Sequence, residues 1–135
     1  MFFSYPAVFI KTENFFKIKF IDFPKIEIAS TSSIDAISLA TKALENHIIY
    51  LIISKEEIPQ ASCIENIKFN DEDVPIFISG DIPEISNNYV KKTLTIPEWV
   101  NEMAINKQLN FSQILTEALL AKLGILQLPE KNPKK

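Results

Sequence analysis

Lysine and threonine side chains with the spacing of a DNA-contacting strand occur near the C-terminus. In an extended strand, Lys91, Thr93 and Thr95 lie on one face. Leu94 and Ile96 lie on the other face. Short hydroxyl and ammonium side chains reach base edges when a two-stranded ribbon enters the major groove. Residues 89–96 are therefore predicted to form a strand that contacts DNA through Lys91, Thr93 and Thr95.

Two helices are predicted directly after this strand. Pro97 stands in the first turn of the first helix, where its missing N–H costs nothing. That helix is predicted to close at Asn110, because asparagine tolerates the left-handed conformation. Ser112 is the predicted N-cap of the second helix and Gly124 its stop. Asn110 and Ser112 then lie where a helix N-terminus offers free N–H groups to a phosphate.

A single strand and two helices cannot bury a core within residues 89–124. Two copies solve the problem, because their strands pair as an antiparallel ribbon that four helices cover. The sequence therefore predicts a homodimer through residues 89–124 that binds operator DNA.

The preceding sequence has the pattern of a small α+β domain. Period-2 alternation and β-branched residues predict strands at residues 2–10, 15–21, 26–29 and 74–79. A capping box at Ser32 and Asp35 begins a predicted helix that runs to about Ser54. Residues 55–73 are interpreted as a polar connection. The apolar residues that recur at helical spacing are Ile34, Ile37, Ala40, Leu44, Ile48, Leu51 and Ile52.

Charge divides the chain into an acidic body and a basic C-terminal part. Residues 1–89 carry seven lysines and thirteen acidic residues, whereas residues 90–135 carry seven lysines and four acidic residues. This split suits a cationic partner for the body and a polyanion for the C-terminal part. The apolar stretches fall short of the roughly 20 residues of a membrane span, and no signal peptide is recognised. We expect a cytosolic protein without a membrane association.

The residues that could perform catalysis or hold a metal are few and scattered. Asp22, Glu27 and Asp35 are the acidic residues near the predicted sheet, and Asp22 and Asp35 have structural roles as turn and cap. His47 lies among apolar helix residues and Cys63 in the polar connection, neither beside a second soft ligand. We therefore expect no enzyme activity, no metal site and no cofactor.

The C-terminal sequence resembles the ribbon-helix-helix repressors. Residues 90–124 read VKKTLTIPEWVNEMAINKQLNFSQILTEALLAKLG, with the strand, the following proline and the Asn-x-Ser helix junction in register. Those repressors usually carry glycine where this chain has Asn110, and an arginine is common on their strand.

The N-terminal sequence resembles the HicB antitoxins. It carries YPAVFIKTENFFKIKFIDFP at residues 5–24 and TSSIDAISLATKALENHI at residues 31–48. The resemblance implies a partial ribonuclease H-like β-β-β-α-β domain at residues 1–80, a linker at 81–88, the ribbon-helix-helix domain at 89–126 and a tail at 127–135. It implies an antitoxin that binds and neutralises a HicA-like ribonuclease toxin, alone or in a higher hetero-oligomer. Its ribbon-helix-helix dimer would autorepress the toxin–antitoxin operon. The toxin-binding residues are not assigned by the sequence.

The sequence leaves two other functions open beside the antitoxin. One is a ribbon-helix-helix repressor whose N-terminal domain senses a small organic molecule. The other is a nuclease, disfavoured because carboxylates do not converge in the predicted sheet. An adjacent reading frame for a short basic protein with a lone histidine would favour the antitoxin.

Overall fold

A computed structural model of the chain describes residues 1–86 and 88–126. They form two compact units, of which the first spans Met1–Ile85 and the second begins at Ser86. The predicted tail, residues 127–135, lies outside the described residues. The domain limits proposed from the sequence stay a prediction. The elements, in chain order, are β1 (Phe2–Lys11), β2 (Phe16–Phe20), β3 (Glu27–Ser30), α1 (Ser33–Ile53), a short 3-10 helix (Ile64–Asn66), β4 (Val74–Asp81), α2 (Glu98–Asn106) and α3 (Phe111–Lys122).

The first unit is built on a four-stranded sheet in the order β3-β2-β1-β4. Every neighbouring pair is antiparallel. Strands β1 and β2 form a hairpin, closed where the Thr12 N–H and hydroxyl both donate to the Phe15 carbonyl, at 2.9 and 2.8 Å. The predicted α+β class is confirmed. The likeness of this unit to a partial ribonuclease H stays a prediction.

One face of the sheet forms the core with helix α1. Alternate residues of the strands point to this face, as the period of two requires. Ile18 is fully buried, whereas its neighbours Lys17 and Lys19 point to the other face, where Lys17 lies 2.7 Å from Glu27. Gly80 is required here because a Cβ would come within 2.6 Å of the Phe3 ring. The buried core residues are Phe3, Tyr5, Ala7, Ile18, Phe20, Phe23, Ala36, Ala40, Leu44, Ile48, Leu51, Ile78 and Ile82.

Helix α1 begins at the predicted cap but lacks the complete capping box. The Ser32 hydroxyl accepts from the Asp35 N–H at 3.3 Å, as predicted. The Asp35 carboxylate, however, accepts from the Ser30 hydroxyl at 2.7 Å instead of from the Ser32 N–H. The Ser32 N–H donates to the Ser30 hydroxyl oxygen. The end of β3 therefore supplies the second half of the cap.

The buried face of α1 differs from the predicted one in the first turns. Ile34 is 81% exposed and Ile37 42% exposed, whereas Ala36 and Ala40 are fully buried. Ile34 precedes Ala36 by two residues, so it lies about 200° around the helix, close to the opposite side. Ile34 and Ile37 share the helical spacing of the apolar residues but are not part of the core. Ala36 and Ala40 lie on the side of α1 that faces the sheet.

By length and composition alone, α1 could cross a membrane. Its buried residues, however, form the core of the first unit together with the sheet. We therefore interpret α1 as a core helix.

Residues 55–73 are attached to the sheet more firmly than a polar connection implies. The Tyr5 hydroxyl donates to the Pro59 carbonyl at 2.6 Å, and burial together with the Asp22 charge raises the pKa of Tyr5, which keeps the phenol protonated as donor. The Ser62 N–H and hydroxyl both donate to the Asp22 carboxylate, at 3.1 and 2.5 Å. Ile82, at the start of the predicted linker, is only 4% exposed and hydrogen-bonds to Met1.

The packing of α1 predicts a large difference between two leucines of the same helix. Leu44→Ala removes a fully buried side chain and should lower the free energy of unfolding by about 2–5 kcal/mol. Leu39→Ala is the matched control, since Leu39 is 44% exposed and its loss should cost under about 1 kcal/mol. Urea unfolding followed by circular dichroism measures both. Equal losses would contradict the burial described for α1.

Candidate functional site

The predicted DNA-contacting segment is exposed along its length in the single chain. Lys91, Thr93 and Thr95 are all exposed, and so are the apolar residues between them. No strand is present at residues 88–96 in this structure, contrary to the strand predicted at residues 89–96. A strand requires a hydrogen-bonded neighbour, and the described part of one chain offers none to this segment. The predicted ribbon, which pairs this segment with a second chain, therefore stays a prediction.

The junction between α2 and α3 corrects two of the predicted caps. Gln108, with φ of 55°, adopts the left-handed conformation at the end of α2, the role predicted for Asn110. Asn110 is instead the N-cap of α3, and its side-chain oxygen accepts from the Gln113 N–H at 3.1 Å. Ser112, predicted as the N-cap, lies inside the first turn of α3. The sequence contained the correct signal, because Asn110 is followed three residues later by glutamine, as in a capping box.

The ends of α2 and α3 share one hydrogen-bonding pattern. The N–H of Gln108 donates to Ile105 and that of Leu109 to Ala104. After α3, Gly124 adopts a φ of 80° and its N–H donates to Ala121. Both endings match the pattern in which a left-handed residue satisfies the last helical carbonyls. Gly124 therefore stops α3 as predicted.

The second unit exposes most of its large apolar side chains. No residue of α2 or α3 is buried. Among the described residues of this unit, Tyr89 is 93% exposed and Trp99 66% exposed. A protein rarely exposes this many large apolar side chains in so short a segment unless they contact a partner. The exposed apolar residues are Tyr89, Val90, Leu94, Ile96, Trp99, Met103, Ile105, Leu109, Phe111, Ile114, Leu115, Leu119 and Leu123.

The acidic residues of the first unit that were considered for catalysis each have a partner of their own. Asp22 accepts from Ser62, and Asp35 accepts from Ser30. Glu27 is paired with Lys17, whose hydrogen bond and charge lower the pKa of the carboxyl. Within residues 1–86 and 88–126, no group of three or more His, Cys, Asp or Glu residues has a geometry that could hold a metal ion.

His47 is packed among aromatic rings at the C-terminal half of α1. Its ring meets Phe23 edge-on, with centroids 5.4 Å apart, and lies nearly parallel to Tyr50 at 6.3 Å. Burial lowers the pKa of His47, opposed by the charge of Glu56, so the imidazole is neutral at pH 7. These contacts agree with the structural role expected of His47. Cys63 is free and exposed before the short 3-10 helix.

Comparison with known proteins places this fold among antitoxins. No family model and no curated protein matches the sequence. A chain from a toxin–antitoxin complex of Streptococcus pneumoniae is 29% identical, with a TM-score of 0.64, over 90% of this chain and 99% of that one. Burkholderia pseudomallei antitoxin HicB is 20% identical, with a TM-score of 0.67, over 90% of this chain and 96% of that one. The N-terminal domain of the same antitoxin matches over 59% of this chain and 100% of its own length, with 21% identity and a TM-score of 0.53.

The resemblance to the HicB antitoxins is therefore confirmed at the level of the fold, over most of the chain. The ribbon-helix-helix assembly of the C-terminal unit stays a prediction.

The corrected caps predict different effects on stability at two residues that lie close in the sequence. Asn110→Ala removes the side-chain acceptor of the Gln113 N–H and should destabilise α3 by about 1 kcal/mol. Ser112→Ala should leave the stability unchanged, because the described structure assigns the cap to Asn110. Thermal unfolding followed by helical circular dichroism measures the two variants. A larger loss for Ser112→Ala would show that Ser112 caps the helix after all.

Proposed function

We propose that this protein is an antitoxin that binds and neutralises a HicA-like ribonuclease toxin through its N-terminal unit. The observation that carries the proposal is the match to a chain of a toxin–antitoxin complex at 29% identity, over 90% of this chain. The acidic body supports it, because residues 1–89 carry seven lysines against thirteen acidic residues. A ribonuclease that binds RNA presents positive charge to the phosphates, and an acidic partner is steered toward such a surface. The cytosolic location and the lack of enzyme activity form part of this proposal.

The C-terminal unit is proposed to dimerise. Its exposed apolar side chains and the absence of any buried residue in α2 and α3 support a second copy as the partner. In the proposed dimer, residues 89–96 of the two chains pair as an antiparallel ribbon. The helices of both chains then cover one face of that ribbon. Burying these side chains contributes about 25 cal/mol for each Å² of apolar surface removed from water.

The same dimer is proposed to bind operator DNA and repress the toxin–antitoxin operon. The outer face of the ribbon would carry Lys91, Thr93 and Thr95 twice across the two-fold axis, at the width of a major groove. The N-terminus of α3 would bind a backbone phosphate. There the side-chain oxygen of Asn110 is occupied by the cap, so its amide N–H groups and the Ser112 hydroxyl stay available as donors.

Replacing Lys91, Thr93 and Thr95 together with alanine should lower operator affinity by at least about 100-fold, because each lost base contact costs about 1–3 kcal/mol. Neutralisation of the toxin should be unchanged. Lys68→Ala is the control, since it removes one exposed lysine from the N-terminal unit and should leave both activities intact. DNA binding is measured by fluorescence anisotropy and neutralisation by RNA cleavage. Loss of neutralisation in a folded triple variant would contradict the division of roles.

Truncation of the chain tests the two-unit arrangement. We choose a cut after Ile85, because a cut near Asp81 would delete the core residue Ile82. Residues 1–85 should be folded and monomeric, bind the toxin and fail to bind operator DNA. Sedimentation equilibrium and toxin titration measure these properties. A fragment that is unfolded or still dimeric would refute the arrangement.

The same titration separates the antitoxin from the alternative repressor. A repressor that senses a small molecule would bind its operator but leave the ribonuclease activity of the neighbouring gene product unchanged.

A further inference from the structure

The two edges of the sheet differ in length and in protection. Strand β3 is four residues long, and its Glu27 side chain is held by Lys17 at 2.7 Å. Strand β4 is eight residues long, and its only partner in the described part of the chain is β1. A long edge strand presents a row of unpaired N–H and C=O groups to any other extended chain. The β4 edge is therefore the place where the sheet can be extended.

The hydrogen bonds at the end of β4 identify which backbone groups are free. Met1 and Ile82 face each other and exchange two bonds: the Met1 amine donates to the Ile82 carbonyl at 2.7 Å, and the Ile82 N–H donates to the Met1 carbonyl at 2.9 Å. In an antiparallel ladder such bonded pairs alternate with unbonded ones. By the observed register, the β4 residues bonded to β1 are Val74, Ile76, Ile78 and Gly80.

The remaining residues of β4 direct their backbone groups away from the sheet. Phe77, Ser79 and Asp81 each offer one N–H and one C=O, and Pro75 offers a carbonyl alone. The position of Pro75 agrees with this assignment, because a proline can stand only where no ladder N–H is needed. These four residues define the free edge of β4. Their backbone N–H and C=O groups can form hydrogen bonds with one more strand.

The side chains along this edge give it little protection. Phe77 is 56% exposed and Val74 50% exposed. Residues 69–90 contain no lysine, the residue most often used to keep edge strands apart, and Pro75 is the one blocking residue within β4. The edge is therefore open to pairing along the stretch from Phe77 to Asp81.

The charges around the edge select the partner. Asp71, Glu72 and Asp73 precede β4, Asp81 ends it and Glu84 follows, with no basic side chain between them. A second copy is disfavoured, because antiparallel pairing centred on Phe77 would place Asp73 of each chain opposite Asp81 of the other, and like charges directly opposite are destabilising. The Met1 amine offsets only part of this charge, through its contact with Asp81 at 3.0 Å. A cationic extended segment meets complementary charge at both ends.

We propose that the free edge of β4 pairs with an extended segment of a cationic protein partner, which becomes a fifth strand of the sheet. The inference rests on the proposed function, in which that partner is the toxin. Main-chain hydrogen bonds to Phe77, Ser79 and Asp81 supply affinity, and the flanking acidic residues orient the basic segment.

Amide hydrogen exchange, measured on the full chain alone and in complex with a purified HicA-like toxin, tests the proposal. In the free chain, the N–H groups of Phe77, Ser79 and Asp81 should exchange rapidly, whereas those of Ile76 and Ile78 should be protected by β1. In the complex, the three outward N–H groups should become protected as well.

A proline substitution gives a second, independent test. Ser79→Pro deletes an outward N–H without removing any backbone hydrogen bond to β1, although it also loses the side-chain hydrogen bond to Ser4. It should weaken toxin binding about tenfold, the equivalent of one lost strand bond. Ser79→Ala is the matched control: it removes only the side-chain hydrogen bond to Ser4 and should bind within about twofold of the unaltered chain. Circular dichroism checks that both variants fold. If the proline variant does not fold, the hydrogen-exchange experiment alone tests the proposal.

The outcomes separate this inference from the function on which it rests. A complex that neutralises the toxin while the outward amides remain unprotected overturns the inference and leaves the antitoxin proposal standing. Protection of those amides in the free chain that grows with protein concentration assigns the edge to a second copy and overturns the inference too. Failure of any complex to form overturns both.

Discussion

The packing of helix α1 on a single face of the sheet is the interaction on which the N-terminal unit depends. Ala36, Ala40, Leu44 and Ile48 form an unbroken buried row, and each is fully protected from solvent. The unit has one α-helix with which to cover its sheet, so much of the opposite face, apart from the buried Pro6, and the β4 edge remain open. The packing of α1 on one face stabilises the domain and also leaves exposed the surfaces through which the domain can contact another protein.

The C-terminal unit is under the opposite constraint, because it has elements but no core. Helices α2 and α3 are individually well formed, with a cap at Asn110 and left-handed endings at Gln108 and Gly124. Local hydrogen bonds of this kind fix where helices begin and end, but they contribute about 1 kcal/mol each, and helices this short depend on tertiary packing for stability. The apolar surface around Trp99 therefore has to be covered from outside the unit. Dimerisation and DNA binding are linked in the proposal for this reason, since the ribbon exists only when two chains meet.

Sequence reasoning succeeded where a local pattern determines the structure. The alternation in β2 and the Ser32 cap of α1 were both predicted, and so was the stop at Gly124. It failed where two nearby groups compete for one role, or where the packing of a helix on the sheet decides which residues are buried. The Asp35 carboxylate was assigned to Ser32, but the end of β3 brings the Ser30 hydroxyl to it at 2.7 Å.

Two further errors have the same origin. Asparagine suits both a left-handed position and an N-cap. In the structure Asn110 is the N-cap of α3, and Gln108 adopts the left-handed conformation instead. Ile34 is as apolar as any core residue, but the orientation of α1 on the sheet turns it to solvent. The free edge of β4 could not be predicted from the sequence either, because local periodicity does not determine the order of strands in a sheet.

The central claim is that this chain neutralises a ribonuclease. The most direct measurement is a titration of the RNA-cleaving activity of a purified HicA-like toxin with the purified full chain. The account predicts that cleavage falls to zero at a fixed molar ratio and that the two proteins elute together. Undiminished cleavage at a large excess of the chain, with the two proteins eluting apart, would contradict it.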